Sequence, residues 1–272
     1  MLFTKFAQYS HYSGKGLNHC FLGESFKREL DFGFTATAEW KSLGTYADTT
    51  WKPTGTAKNI INITYDADGK PCADFKSAYP VYTAFLRLHY LGTTTKLSQR
   101  NLFNLGTSFT VQMTCTYEEF ANYRGIMGLG RAIVGETGVI FGQYQNGNLV
   151  WGIFPYTTSS NSVWVSVPQA QIPSGKFNWC FIYDKDANTT GGAISLYINN
   201  IHKGTVALTG GAPNFSTNIG DLYGVSLGHA YHDVNRFMKG KIYSLLIYGR
   251  AISQAEFTNN YMIDKGKYLI PN

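Results

Sequence analysis

From about residue 100 onward, apolar and polar residues alternate in short runs, and each run closes on turn chemistry. Phe109, Val111, Met113 and Cys115 alternate with Thr110, Gln112 and Thr114. A period of two puts the apolar set on one side of a pleated strand, so this run predicts a strand with one buried face. Phe177, Trp179, Phe181 and Tyr183 alternate in the same way with Asn178, Cys180 and Ile182, and Ile194, Leu196 and Ile198 alternate with Ser195 and Tyr197. Between the runs stand Gln145-Asn-Gly-Asn148, Asn188-Thr-Thr-Gly-Gly192 and Asn199-Asn200. Their Asn and Gly residues reach the backbone angles of tight hairpins at little cost. Many short, evenly spaced strands with such punctuation predict an all-β sandwich or barrel.

One helix is predicted near the C-terminus. Ser253-Gln-Ala-Glu256 has capping-box spacing, in which the Ser253 hydroxyl takes an amide proton and Glu256 reaches back. Phe257 and Tyr261 then share a helix face, and Gly266 is the expected stop. The expected role of this helix is packing. Residues 1–100 are less regular, with strand-like pieces at Ile60-Ile-Asn-Ile-Thr-Tyr65 and Phe85-Leu-Arg-Leu-His-Tyr90. Residues 1–50 are expected to form either a docking arm or the opening strands, and residues 51–272 the sandwich. No internal repeat and no low-complexity linker divides the chain.

Segment 100–265 resembles the laminin G-like members of the concanavalin A-like superfamily. Leu105-Gly-Thr-Ser-Phe-Thr-Val-Gln-Met is similar to the opening strand of such domains. Gly175-Lys-Phe-Asn-Trp-Cys-Phe-Ile-Tyr-Asp184 is similar to the family's Gly-x-Trp strand with its trailing aspartate. Ile194-Ser-Leu-Tyr-Ile-Asn-Asn200 resembles a hairpin arm of the family, with Asn200 where Gly is preferred. Phe237 through Glu256 resembles the final strand and its short helix, and is the most specific block because strand, Tyr-x-Arg-Ala turn and capping box occur together. The resemblance implies a two-sheet antiparallel jelly-roll sandwich with one short C-terminal helix. Similar Asn-Asn-Tyr-x-Ile-Asp-Lys endings are frequent in bacteriophage structural proteins.

Composition narrows the function classes. The chain has 272 residues and a formal net charge of +6, yet its lysines and arginines are dispersed. Nucleic-acid binding normally shows a basic stripe, so no nucleic-acid partner is expected. No stretch reads as a membrane-spanning helix, so no membrane insertion is expected. The N-terminus lacks the pattern of a secretory leader. Cys20, Cys72, Cys115 and Cys180 show no zinc spacing; Cys115 and Cys180 lie inside strand-like runs and read as small buried hydrophobes. Synthesis in a reducing cytoplasm is expected, with a virion as the destination and the cell surface or exterior as the alternative.

The superfamily also contains β-glucanases, which need paired carboxylates. The nearest approach, Glu29-Leu-Asp-Phe-Gly-Phe34, has Phe34 where the acid/base Glu would stand. It reads as chance, and no catalytic residue and no enzyme activity are expected. His229-Ala-Tyr-His232 could place two imidazoles on one loop, but a metal would need a further donor, and a loop with polar tips is the simpler reading. Asp66-Ala-Asp-Gly69 and Asp184-Lys-Asp-Ala-Asn188 resemble fragments of calcium loops without the bidentate Glu. No cofactor is therefore expected, with calcium at these loop tips as a secondary option.

Sugars stack their C–H faces on aromatic rings while their hydroxyls take directed hydrogen bonds. In Val163-Trp-Val-Ser-Val167, Trp164 points away from three valines, either to solvent or under the second sheet. Phe154-Pro-Tyr-Thr-Thr-Ser-Ser-Asn161 and His229-Ala-Tyr-His-Asp-Val-Asn-Arg236 are polar aromatic loops. The resemblance implies ligand contacts on rim loops of this kind, which selects Trp164, Tyr156, Tyr231, His232, Asp233 and Asn235. The expected function is a non-catalytic carbohydrate-binding adhesion module of a phage fibre, spike or decoration protein. The alternatives are a purely structural virion or surface subunit and a divergent polysaccharide hydrolase or lyase. The expected partners are a cell-surface glycan or other virion proteins, within a homo-oligomer or larger assembly.

Overall fold

The alternating runs become strands of two antiparallel sheets. In this computed structural model, residues 18–21, 40–41, 49–54, 61–76, 85–90, 108–121, 123–130, 138–154, 162–209, 211, 213, 225–230 and 237–272 are described. The strands are β1 (Asn18–Phe21), β2 (Trp40–Lys41), β3 (Thr49–Thr54), β4 (Ile61–Tyr65), β5 (Pro71–Lys76), β6 (Phe85–Tyr90), β7 (Phe109–Cys115) and β8 (Met127–Gly130). They continue with β9 (Gly138–Gln145), β10 (Asn148–Phe154), β11 (Val163–Pro168), β12 (Phe177–Asp184), β13 (Ala193–Ile198), β14 (Ile201–Ala207), β15 (Val225–Leu227) and β16 (Lys239–Tyr248). Helix α1 (Gln254–Tyr268) follows. The first sheet runs β14-β13-β12-β7-β16-β5-β4, with β1 also paired to β16; the second runs β11-β10-β9-β8-β15-β6-β3-β2. This is the expected jelly-roll sandwich.

The core lies between the sheets. Phe109, Val111 and Met113 of β7 and Trp179 and Phe181 of β12 meet Phe141 of β9 and Trp151 of β10. Phe141 stacks on Trp179 at 5.4 Å between ring centroids and stands edge-on to Phe181 at 5.2 Å. Ring pairs of this geometry add about 0.5–1.5 kcal/mol each beyond the apolar area they bury. Cys115 and Cys180 are buried and unpaired, and so is Cys72. Burial raises all three thiols, Cys72 to about 12 with the Asp66 and Asp74 charges adding to the effect, so they behave as small hydrophobes.

Two expectations are corrected. β7 was expected to bury one face, but all seven of its residues are buried. The polar side is covered by α1: Gln112 and Thr114 pair with the helix, and Thr110 pairs with the Arg250 carbonyl and the Ile252 amide just before it. Asp264 accepts hydrogen bonds from the Thr114 hydroxyl (2.6 Å), the Ser244 hydroxyl (2.5 Å) and the Asn178 amide (3.2 Å). Asn260 donates to Gln112 (3.0 Å) and the Gln112 amide donates to Asn178 (3.0 Å). A buried polar face costs little once its groups are paired, so the helix can seal a threonine- and amide-bearing surface.

The helix start follows expectation. Ser253 and Glu256 form the capping box, and Phe257 and Tyr261 are both buried. Its end does not: the helix passes through Gly266, and Leu269 takes the left-handed cap (φ 58°). Tyr268 explains the extra turn, because it is fully buried against Tyr243 and Cys72.

Candidate functional site

Trp164 lies on β11, the edge strand of the second sheet. Its neighbours Val165 and Val167 turn into the core, while Trp164, Ser166 and Pro168 are exposed. The strand's period of two thus carries the indole to the outer face, where it is 40% exposed. Trp164 pairs in register with Gly152 of β10. A Cβ at Gly152 would lie 2.6 Å from the Val163 carbonyl oxygen and 2.9 Å from the Trp164 Cβ, so this close approach requires glycine. The indole stands edge-on to Phe154, with ring centroids 5.2 Å apart and planes at 80°.

Phe154 in turn packs on a small outer-face cluster with Ile140 of β9 and Ala230. Ala230 is seated in the sheet surface: a Cβ added at Gly125 would fall 1.9 Å from its Cβ. This arrangement connects pieces that are far apart in sequence. Phe154 immediately precedes segment 155–161, which carries Tyr156; Ala230 immediately precedes Tyr231. The residues at which the chain departs toward both aromatic segments therefore meet on one patch, with Trp164 beside them. Tyr156, Tyr231, His232, Asp233 and Asn235 lie outside the described residues, as does Glu29-Leu-Asp-Phe-Gly-Phe34.

His229 differs from its reading as a loop tip. It is 4% exposed, bridges to Phe237 across the base of the 231–236 segment, and stacks on that ring at 4.7 Å. The Ser226 hydroxyl donates to its carbonyl at 2.9 Å. His229 thus belongs to the anchor of the segment. Sequence reasoning included Phe154 and Ala230 in the two polar aromatic loops but did not select them among the contact residues. The available signal was their position at the start of those loops, Phe154 first in one and Ala230 second in the other.

The two calcium-like segments are built as turns. Asp66 Oδ1 accepts the amides of Asp68 (2.9 Å) and Lys70 (2.8 Å), and Asp66 Oδ2 and Asp68 Oδ2 each lie 2.6 Å from Lys176 Nζ. Burial opposes the charge on Asp66, but the Lys176 ammonium, the Lys70 amide and the Tyr243 hydroxyl outweigh it and hold the carboxyl below its ordinary range. A lysine thus occupies the place a cation would take. In the second segment, Asp184 Oδ1 accepts the Asp186 amide (3.0 Å) and Asn188 Oδ1 accepts the amides of Thr190 (2.9 Å) and Gly192 (2.8 Å). These oxygens point to backbone amides, and the residues present do not make a calcium cage. Among the described residues no group of three or more His, Cys, Asp or Glu side chains gathers to hold a metal ion. Among the described residues, too, no helix is long and apolar enough to cross a membrane.

Comparison with solved structures places these features among known folds. The chain is similar to domain 4 of AbnA, a GH43 extracellular arabinanase from Geobacillus stearothermophilus, in complex with arabinotriose (20% identity, 76% of this chain and 81% of that one, TM-score 0.48). It is also similar to the Ruminococcus gnavus IT-sialidase CBM40 bound to alpha2,3 sialyllactose (13% identity, 55% and 80%, TM-score 0.44). A third similar structure, HCR/D-Sa-GBL1/C, shares the fold at 9% identity over 82% of this chain and 48% of that one (TM-score 0.51). No curated protein matches the chain. The laminin G-type family model Laminin_G_3 matches residues 92–257, more than half of the chain. That span runs from before β7 into α1 and takes in strands of both sheets, and with it this protein belongs to the concanavalin A-like lectin/glucanases superfamily.

Proposed function

We propose that the protein is a non-catalytic carbohydrate-binding module whose ligand sits on the outer patch of the second sheet. The observation that carries this reading is the convergence of Trp164, Phe154 and Ala230, which joins an exposed indole to the starting points of the two polar aromatic segments. An indole presented at the surface but fixed edge-on by a second ring offers a flat stacking face at little conformational cost. In this reading Tyr156, Tyr231, His232, Asp233 and Asn235 supply further rings and hydrogen bonds around it. Several described carboxylates are committed to ion pairs, and Asp264 is committed to buried hydroxyl and amide donors. Asp66 and Asp68 pair with Lys176, Glu118 with Lys241, Glu119 with Arg124 and Glu256 with Arg250. A glycosidase needs one carboxyl group as proton donor and a second as nucleophile or general base across the scissile bond. The setting we propose is a phage fibre, spike or decoration protein that carries the module to a cell-surface glycan.

The test is a glycan-array and whole-cell binding screen of the protein beside a Trp164→Ala/Tyr231→Ala variant. Saturable binding by the wild type and its loss in the variant are expected. Equal binding by both proteins would move the site elsewhere, and no binding by the wild type would leave a structural subunit.

A further inference from the structure

We infer that the outer face of β13 and β14 is a second ligand site, one that takes a saccharide bearing an anionic group. This rests on the carbohydrate-binding reading and adds to it a ligand class and a place apart from Trp164. The alternation of β13 sends Ile194, Leu196 and Ile198 into the core and leaves Ser195 and Tyr197 on the outer face. β14 does not follow with a simple alternation, because its pairing with β13 shifts: Leu196 faces Gly204, whereas Tyr197 faces His202. Lys203 is the extra residue of a β-bulge. Gly204 points inward, since a Cβ there would lie 3.1 Å from a methyl of Val165 on the second sheet. Alternation then turns Lys203 outward, and the His202 ring lies outward too, 5.1 Å from the Tyr197 ring. The bulge thus sets two basic side chains in succession on one face, where a regular strand would turn one of them inward.

Rings, hydroxyls and a charge meet there. Tyr197 is flanked by Phe257 of α1, with ring centroids 4.3 Å apart, and by His202. Thr205 Oγ1 lies 2.9 Å from His202 Nε2 and 2.8 Å from the Ser195 hydroxyl. His202 and Thr205 are exposed, and Ser195, Tyr197 and Lys203 are half-buried. Rings beside hydroxyls and an imidazole match a saccharide, whose C–H face stacks while its hydroxyls donate and accept. Lys203 decides which saccharide. Among the described residues no carboxylate pairs with it, whereas Lys176, Lys239, Lys241 and Arg250 each have one. An unopposed ammonium next to hydroxyl groups complements an anionic sugar and gives a neutral one no such gain.

The hairpin that carries these groups is fixed on two sides. Its turn, Asn199-Asn200, takes φ of 47° and 64°, the left-handed pair of a tight hairpin that asparagine tolerates. Asn199 Oδ1 accepts the Asn178 amide of β12 at 2.9 Å, and Asn200 Oδ1 accepts the Thr258 hydroxyl of α1 at 2.8 Å. β12 and α1 thus hold the strand on which His202 and Lys203 stand, and a site ordered in advance loses less entropy on binding.

The test places wild type, Lys203→Gln, Lys203→Glu, Lys203→Arg and Lys70→Gln on one array printed with neutral, uronate-bearing and sulfated glycans, with a thermal melt of each. Wild type should bind acidic glycans, and the class bound, uronate or sulfate, names the anionic group. Lys203→Gln should bind them about two- to fivefold more weakly, the range of an exposed ion pair, with neutral glycans unaffected. Lys203→Glu should weaken them further, and Lys203→Arg should bind as wild type. Lys70→Gln, the same charge change at the β4–β5 turn, should leave every signal in place. All variants should melt as the wild type does. Wild-type binding confined to neutral glycans, acidic binding that Lys203→Glu keeps in full, or equal losses in Lys203→Gln and Lys70→Gln would overturn this inference and leave the Trp164 reading standing. A wild type that binds no glycan overturns both.

Discussion

Ala230 occupies space that any residue larger than glycine at position 125 would claim. A Cβ at Gly125 would lie 1.9 Å from the Ala230 Cβ and 3.1 Å from its Cα, so one of the two segments must move. Overpacking of this kind costs about 1–3 kcal/mol. Gly125→Ala is therefore expected to lower stability by that amount in urea denaturation and to weaken glycan binding, because Ala230 anchors the 231–236 segment. Ala230→Gly in the same chain should restore part of the stability. A Gly125→Ala protein with unchanged stability would show that the contact relaxes freely. Single residues were unevenly legible in the sequence. Period two sets Trp164 opposite Val165 and Val167, but its solvent exposure, left open between solvent and the second sheet, is decided only by the structure. The left-handed backbone of Tyr123 (φ 68°) was not legible, because the turn that the Arg124 amide closes on the Ala121 carbonyl carries no glycine at that position.

At the scale of elements, α1 is fixed at its start by charge and along its length by buried polar pairs. The Arg250 guanidinium donates to Glu256 at 3.0 and 2.5 Å, and the Ser253 amide donates at 2.8 Å. Arg250 chiefly, helped by Ser253, holds the Glu256 carboxyl at about 2, against an ordinary value of 4.5. A carboxyl depressed by folding contributes stability that is complete above its unfolded value and lost as pH falls through its folded one. The difference in melting temperature between wild type and Glu256→Gln should therefore be constant above pH 4.5, shrink below it, and vanish near pH 2. A difference that persists at pH 2 would assign the effect to packing. The capping box was legible because its spacing is local. The burial of both faces of β7 was not. Thr110, Gln112 and Thr114 read as solvent-facing until Asn260 and Asp264 are brought over that sheet. A trace of this was present, since Asn260 and Asp264 share the helix face of Phe257 and Tyr261.

At the scale of the whole molecule, the helix seals part of the first sheet, while the outer face of the second sheet presents the exposed ring of Trp164. The fold was readable because strand alternation, hairpin punctuation and the final strand-helix block all point to one architecture. The site was readable only in part. Its residues come from segments joined by topology, and Phe154 and Ala230 become neighbours only when β9, β10 and the segment after β15 are assembled. The claim that ligand binds at this assembled patch can be tested on the side chain itself. The chain has 5 tryptophans, so its indole N–H region in a proton–nitrogen NMR spectrum is simple, and Trp164→Phe assigns the signal of interest. Titration with the strongest array ligand should shift the Trp164 indole resonance saturably and leave those of the core residues Trp151 and Trp179 in place. Saturable binding with an unmoved Trp164 signal would contradict the account.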